Sequence, residues 1–129
     1  MVTKSTAAKN AACNAVTTLI DQTTNGSIGW SSGRLQLYRS GDSLVIASLI
    51  CANPCFLTAN DGTAMANHIN DATALLDGTA TTFGFVNRDN VFVWGGTVKS
   101  DGSGELNLSS TSISTGTIVS VTSGRYIAP

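Results

Sequence analysis

The chain has 129 residues, of which 12% are charged, with seven Lys and Arg against eight Asp and Glu. This sparse and balanced charge argues against binding to nucleic acid or to a membrane surface, since both depend on clustered basic side chains. An apolar content of 42% argues against disorder, and the sequence has no apolar run of about 18 residues, the length that predicts a transmembrane helix.

Most of the polarity resides in uncharged residues, with 32 Ser and Thr and 13 Gly. This composition is typical of a β-rich structural domain, and the length predicts one domain over residues 1–129. The N-terminal segment has two lysines but no continuous apolar run after them, so we do not expect a signal peptide. We therefore expect Cys13, Cys51 and Cys55 to be reduced during synthesis in a cytosol.

One helix is predicted, from about Ser5 to Gln22. Ser5 or Thr6 can cap its start, and the pair Asn25-Gly26 can end it because both residues tolerate a positive φ angle. Apolar residues recur at spacings of three and four and predict the buried stripe Ala8, Ala11, Ala12, Ala15, Val16, Leu19 and Ile20.

Two β-hairpins are predicted after the helix. Arg34–Arg39 alternates polar and apolar residues, a turn follows at 40–42, and Leu44–Cys51 forms the second strand, which ends before Asn53-Pro54. Thr79–Val86 and Val91–Val98 form the second hairpin. Residues 63–76 fit either a short strand or a short helix, and Gly95-Gly96 indicates a bulge or a close approach by another backbone.

The C-terminal segment, residues 105–129, alternates small polar and aliphatic residues and predicts terminal β-strands. Its expected buried face is Leu106, Leu108, Ile113, Ile118 or Val119, and Val121. Its expected neutral opposite face is Asn107, Ser109, Ser120 and Thr122. The whole chain therefore predicts a mainly β protein, a single antiparallel β-sandwich of jelly-roll or immunoglobulin type with about seven to nine strands and one N-terminal helix.

The sequence gives little support for catalysis or for a bound metal or cofactor. His68 is the only histidine, and a surface position explains it better than a catalytic role. Cys51 and Cys55 resemble half of a metal site, but a structural zinc needs four ligands. A Cys51–Cys55 disulfide or simple packing in the core are the other interpretations, and packing is favoured. We predict a protein that is not an enzyme and has no catalytic residues, cofactor or metal.

Aromatic residues offer a different type of site. They could form a platform for a sugar or a base, although interior positions of a sandwich explain them as well. The residues concerned are Trp30, Tyr38, Phe83, Phe85, Phe92 and Trp94.

The order of several short elements resembles that of small virion proteins of tailed bacteriophages. The elements are an Ala-rich opening helix, the Gly33–Tyr38 strand, Leu49–Phe56 with its Asn-Pro-Cys-Phe sequence, Gly78-Thr79-Ala80 before an aromatic strand, Trp94–Val98, Glu105–Leu108, Ser112-Ile113, Gly116–Val121 and a close on Tyr126, Ala128 and Pro129. The resemblance covers most of the chain. It implies a structural protein of the phage particle.

The resemblance further implies a capsid decoration or cement protein, made in the cytoplasm of the bacterial host and located in the virion. Its partners would be the major capsid protein and copies of itself, for example in a trimer, with no nucleic acid and no membrane. A loosely attached helix and neutral strands suit that role. A neck, tail or baseplate component is the alternative, and a carbohydrate-binding receptor module using Trp30 or Trp94 is the second alternative.

Chain termini that pack against nothing in their own chain often pack against a neighbour. The predicted partner interface therefore consists of Met1, Val2, Thr3, Lys4, Tyr126, Ile127, Ala128 and Pro129.

Overall fold

The computed structural model describes residues 5–23 and 30–127, and within them the fold is mainly β with one N-terminal helix, as predicted. The helix α1 spans Thr6–Thr18, and a 3₁₀ turn, Leu19–Asp21, continues it. The strands are β1 (Arg34–Arg39), β2 (Val45–Ile50), β3 (Thr63–Met65), β4 (Ala72–Thr73), β5 (Gly78–Val86), β6 (Phe92–Lys99), β7 (Leu106–Leu108), β8 (Ser112–Ile113), β9 (Ile118–Val119) and β10 (Val121–Ile127).

The main sheet has the strand order β2-β1-β5-β6-β7-β10-β3, with β8 paired to β5, and β4 and β9 form a separate two-stranded ribbon. Both predicted hairpins, β1–β2 and β5–β6, are confirmed. Segment 63–76, which the sequence left open, contains the short strands β3 and β4. The described strands number ten, because several of them have only two or three residues.

One strand pair departs from the predicted antiparallel arrangement. Strands β6 and β7 are parallel, with Val98 opposite Leu106 and Lys99 opposite Asn107. The connection 100–105 brings the chain back to the level of Val98 before it enters β7, so the two strands run in the same direction. Gly102 has a φ of 86° in this connection, a conformation that favours glycine.

The start of the helix agrees with the prediction, whereas its buried face does not. The Oγ atom of Ser5 accepts a hydrogen bond of 3.1 Å from the backbone N–H of Ala8, which is an N-cap. Within the helix and its 3₁₀ turn, the fully buried residues are Cys13, Thr17 and Ile20. Ala8, Ala11, Ala15 and Leu19, which belong to the predicted apolar stripe, are exposed. The predicted end at Asn25-Gly26 lies outside the described residues.

Polar side chains attach the helix to the rest of the protein. Asn10 Oδ1 accepts a hydrogen bond from the N–H of Gly62 (2.7 Å), and Asn14 Oδ1 accepts one from the N–H of Ala59 (2.8 Å). These bonds satisfy backbone groups of an irregular segment that no neighbouring strand can pair with. These two bonds, together with the buried side chains of Cys13 and Ile20, attach one face of the helix segment to the rest of the protein.

The core contains a cluster of five aromatic rings. Phe56, Phe83, Phe85, Trp94 and Tyr126 contact one another with centroid separations of 4.7–5.9 Å. Trp94 is only 9% exposed, so it serves the core and is not available as a sugar platform. The interior interpretation of the aromatic residues is confirmed for Phe83, Phe85 and Trp94.

The C-terminal strands follow the predicted pattern except at one residue of the expected neutral face, Asn107. Leu106, Leu108 and Ile113 are buried, as expected. Of the two alternatives at the next position, Val119 is buried and Ile118 is 64% exposed.

The exception is Asn107, which was expected on the neutral exposed face but is buried. Its Oδ1 accepts a hydrogen bond from the N–H of Gly104, and its Nδ2 donates to the carbonyl of Gly104 and to the hydroxyl of Ser123. These bonds satisfy the amide inside the protein.

Candidate partner interface

Only two residues of the predicted interface, Tyr126 and Ile127, lie within the described residues. Tyr126 is half-buried, and its ring packs edge-on against Trp94 with a centroid separation of 4.7 Å. Burial of part of the ring stabilises this packing, and the part that stays accessible leaves the contact of Tyr126 with a partner a prediction. Ile127 is exposed and remains a candidate contact. Met1–Lys4, Ala128 and Pro129 lie outside the described residues.

The beginning of the helix and the end of β10 lie on the same side of the protein. Asn10 bonds to Gly62, and the next residue, Thr63, pairs with Ile127 in the β3–β10 ladder. The Cys13 thiol also donates to the carbonyl oxygen of Tyr126 at 3.4 Å. The first part of α1 and the end of β10 therefore adjoin one region of the structure.

Exposed apolar side chains surround this region. Leu57, Met65 and Ile127, which we call the terminal surface, are each about half exposed. The N–H of Leu57 donates to the carbonyl of Met65 at 2.8 Å, and β3 carries Met65 alongside β10. Together they form an apolar contact surface next to the end of β10.

A second apolar surface lies on the β4–β9 ribbon. Thr73 of β4 pairs with Ile118 of β9. Leu75 lies in the bend that follows β4, two residues beyond Thr73. Ile118 is 64% exposed and Leu75 is 60% exposed, while Val119 faces the core. We call Leu75 and Ile118 the ribbon surface.

A third apolar surface, which we call the hairpin groove, has a volume of about 410 Å³ and lies between the end of the helix and the β5–β6 hairpin. Leu19, Val91, Phe92 and Val93 line it, and Phe92 is 60% exposed. The ring of Phe92 also covers Gly84 of β5, where a Cβ atom would lie 2.9 Å from the ring. The absence of a side chain at Gly84 thus lets the Phe92 ring approach the sheet closely.

The outer face of the sheet carries the aromatic and polar groups that remain accessible. The guanidinium of Arg34 lies 3.9 Å from the ring centre of Trp30, a cation–π contact. Next to it, the Tyr38 hydroxyl donates to Gln36 Oε1, and Gln36 Nε2 donates to Asn90 Oδ1, each at 3.1 Å. This arrangement offers a flat ring and hydrogen-bonding groups side by side.

Electrostatic effects are concentrated at the β1–β2 turn. The guanidinium of Arg39 contacts the carboxylate of Asp42 at 2.6 Å. Hydrogen bonds from Arg39, and then from the N–H of Leu44, lower the pKa of Asp42 to about 2. This ion pair stabilises a turn in which Gly41 and Ser43 have positive φ angles.

The cysteines are free thiols, and all three are buried. A hydrogen bond with Cys51, together with burial, raises the pKa of Cys55 well above its ordinary value, so the thiol form is stabilised. Among the described residues, no group of three or more His, Cys, Asp and Glu side chains lies close enough to hold a metal ion. The structure therefore places the Cys51 and Cys55 side chains in the core, as the packing interpretation predicts.

His68, the candidate base, is exposed beside a groove of about 260 Å³. Asn67, Asp71, Thr122 and Ser123 also line this groove. The Oδ1 atom of Asn67 accepts a hydrogen bond from the backbone N–H of His68 and orients the backbone rather than the imidazole.

The described part of the chain contains no helix that is both long and apolar enough to cross a membrane.

Comparison with known protein families, with curated proteins and with solved structures finds no match for this chain. Support for the candidate interface therefore comes from the geometry of this structure alone. Sequence patterns did not reveal the terminal surface, the ribbon surface or the hairpin groove. A strand with an exposed Leu or Ile shows the same sequence alternation as a strand in which that residue is buried. Ile118 is exposed and Val119 is buried because successive side chains of a strand point to opposite faces.

Proposed function

We propose that this chain is a non-enzymatic structural protein of a tailed-bacteriophage particle, where it decorates and stabilises the capsid shell. The observation that carries the proposal is the presence of three separate apolar surfaces, the terminal surface, the ribbon surface and the hairpin groove, on a protein with few charges. A cement protein must contact more than one shell subunit, and exposed apolar surfaces of this type favour contact with other proteins.

The order of sequence elements shared with small phage virion proteins supports the same proposal. A sandwich-like sheet stabilised by an aromatic core can present several contact surfaces at fixed relative positions. A copy that makes several weak contacts with the shell at once is bound strongly, because each contact that has formed holds the others near their partners. The partners in this proposal are the major capsid protein and other copies of this chain.

The test is the copy number of this chain in purified particles, measured by quantitative mass spectrometry against the major capsid protein. The expected ratio is about one, or about one third if a single copy sits at each threefold contact. About twelve copies per particle, as in closed rings, would instead place the chain in the neck, tail or baseplate. Absence from the particle would overturn the virion proposal.

A carbohydrate-binding module is a second candidate, favoured by the outer face of the sheet. Trp30 with Arg34, and the bonded series Tyr38, Gln36 and Asn90, provide a ring and polar groups of the kind that hold a sugar. The test is glycan-array binding by the wild type and by the Trp30→Ala variant. Binding that Trp30→Ala abolishes would favour this candidate, and no binding by the wild type would overturn it.

A further inference from the structure

Among the described residues, the side chain of Arg125 in β10 has no hydrogen-bond, ion-pair or cation–π partner. Its Nε atom is buried without a hydrogen bond. Each of the other arginines has a partner, and these partners are the Trp30 ring for Arg34, the Asp42 carboxylate for Arg39 and the Trp30 carbonyl for Arg88. Since nearly all buried polar groups in proteins are bonded, the guanidinium of Arg125 requires an acceptor from outside the described chain.

Arg125 lines a groove of about 470 Å³ that also borders Gly96 of β6 and the connection 100–105. Sites for small molecules have volumes of about 300–1,000 Å³, so the groove is large enough to hold one. Phe83 and Ile127 line it with apolar surface. Gly96 lies against Phe83, where a Cβ atom would be 3.3 Å from the ring. A side chain at Gly96 would therefore fill part of the groove.

Lys99 brings a second positive charge to the groove. Its side chain packs over Gly104, where a Cβ atom would lie 2.6 Å from Lys99 Cγ. The Asp101 carboxylate attracts Lys99 but forms no ion pair with it among the described residues. It instead accepts hydrogen bonds from the N–H and the hydroxyl of Ser103, at 3.0 and 2.6 Å. The Lys99 ammonium group can therefore attract an anion that enters the groove.

Glu105 limits the charge of the ligand. It is exposed and lines the groove, and its backbone carbonyl accepts a hydrogen bond of 2.7 Å from the N–H of Arg125. Its carboxylate forms no ion pair with Arg125 or Lys99 in the described part of the chain. Two cations and one carboxylate leave a net positive charge of one, which favours a monoanion over a multiply charged anion. The planar guanidinium matches a carboxylate, which can accept two parallel hydrogen bonds from it.

We propose that this groove, which we call the carboxylate groove, binds a small organic monocarboxylate with an apolar carbon skeleton. The terminal nitrogens of Arg125 donate to the carboxylate, and Lys99 adds electrostatic attraction. Phe83 and Ile127 contact the skeleton. This binding activity goes beyond the structural role proposed above and does not depend on it.

An NMR titration of the purified full-length chain with benzoate, at constant ionic strength, tests the proposal. The Arg125 Nε–H signal and the backbone N–H signals of Gly96 and Gly104 should shift and saturate together. Benzamide has the same ring without the charge and is the matched ligand control. It should bind about tenfold more weakly or worse, because it lacks the carboxylate that Arg125 and Lys99 recognise. This comparison needs no variant, so it is independent of any effect of substitution on folding.

Arg125→Gln should weaken benzoate binding by about tenfold or more, since it removes the charged donors. Arg39→Gln removes the same charge at the β1–β2 turn and is the matched control, which should bind benzoate as the wild type does. Gly96→Ala leaves every charge in place but narrows the groove beside Phe83, so it should also weaken binding.

Three results would overturn the proposal: equal affinity for benzoate and benzamide, no saturable shift at the carboxylate groove of the wild type, or unchanged binding by Arg125→Gln. Inorganic phosphate that binds this groove more tightly than benzoate would overturn the assignment to a monocarboxylate. All of these readouts use purified protein alone, so their outcome is separate from that of the copy-number measurement on particles.

Discussion

Asp21 accepts a hydrogen bond of 2.8 Å, through its Oδ1 atom, from the backbone N–H of Cys55, which lies 34 residues further along the chain. This contact continues the row that Asn10 and Asn14 begin, so three polar side chains attach one face of the helix segment to the segment 55–62. These side-chain oxygens accept hydrogen bonds from backbone N–H groups that have no strand partner. The bonds hold the helix segment in place.

Replacing Asp21 by Ala should therefore destabilise the protein by about 1–3 kcal/mol, since a part-buried N–H loses its acceptor. Asp21→Asn keeps an oxygen at the same position and is expected to retain most of the stability. The free energy of unfolding, from urea titrations, is the measurement. Equal stabilities for Asp21→Ala and the wild type would show that water replaces the carboxylate without loss.

The pH dependence of stability gives an independent check on Asp21. Burial raises the pKa of this carboxyl, and the hydrogen bond from Cys55 only partly opposes the shift. A group whose folded-state pKa is raised contributes stability below its unfolded pKa and loses that contribution as the pH rises through the folded pKa. The wild type should thus lose stability relative to Asp21→Asn as the pH rises from the unfolded-state pKa of Asp21 through its higher folded-state pKa. Parallel curves for the two proteins would contradict the prediction.

The helix shows what a sequence can and cannot predict here. Its position and its Ser5 cap follow from local rules, which depend on residues close together in the chain. Its buried face does not, because alanines at helical spacing lose little by exposure, whereas Asn10, Asn14 and Asp21 face donors that exist only in the folded protein. Hydrophobic periodicity ranks residues by apolar character and cannot detect such donors.

The adjacent residues Ile118 and Val119 should respond in opposite ways to substitution. Val119→Ala is expected to destabilise the protein by about 1–3 kcal/mol, from lost burial and the cavity that remains. Ile118→Ser should change the stability by about 0.5 kcal/mol or less, since Ile118 is 64% exposed. Thermal denaturation of both variants provides the comparison.

If the ribbon surface contacts a shell partner, Ile118→Ser should also weaken co-sedimentation with particles. Thr115→Ser, an exposed change in the preceding turn, is the matched control and should leave co-sedimentation unchanged. Normal co-sedimentation of Ile118→Ser would remove the ribbon surface from the proposed contacts.

Substitution of the two tryptophans should likewise affect stability to different extents. Trp94 lies in the aromatic cluster, 5.1 Å from Phe85 by ring centroids, so Trp94→Ala should destabilise the protein by about 3–5 kcal/mol. Trp30 contacts Arg34 at the outer face, and its removal is expected to cost about 1 kcal/mol or less. Urea unfolding monitored by far-ultraviolet circular dichroism measures both. A Trp30→Ala variant as unstable as Trp94→Ala would assign Trp30 to the core.

The candidate interface was predictable only in part. The strand alternation of residues 105–129 correctly places a strand at the end of the described chain, and it leaves Ile127 exposed. It could not show that Tyr126 packs against Trp94, because that contact joins β10 to β6 across the sheet. The parallel pairing of β6 with β7 was likewise not predictable, because no local pattern encodes it.

The ion pair between Arg39 and Asp42 predicts a titration that can be measured directly. Carbon-detected NMR should give Asp42 a pKa of about 2. Since this is below the ordinary value of about 3.9, its contribution to stability is present above about pH 4 and is lost as the pH falls toward 2.

Arg39→Gln should raise the pKa of Asp42 toward the ordinary value, although the hydrogen bond from Leu44 keeps part of the shift. Asp101 is the internal control, because hydrogen bonds from Ser103 lower its pKa without Arg39. An unchanged Asp42 titration in Arg39→Gln would assign the shift to the turn backbone instead of the guanidinium. A simultaneous change at Asp101 would instead indicate a general rearrangement.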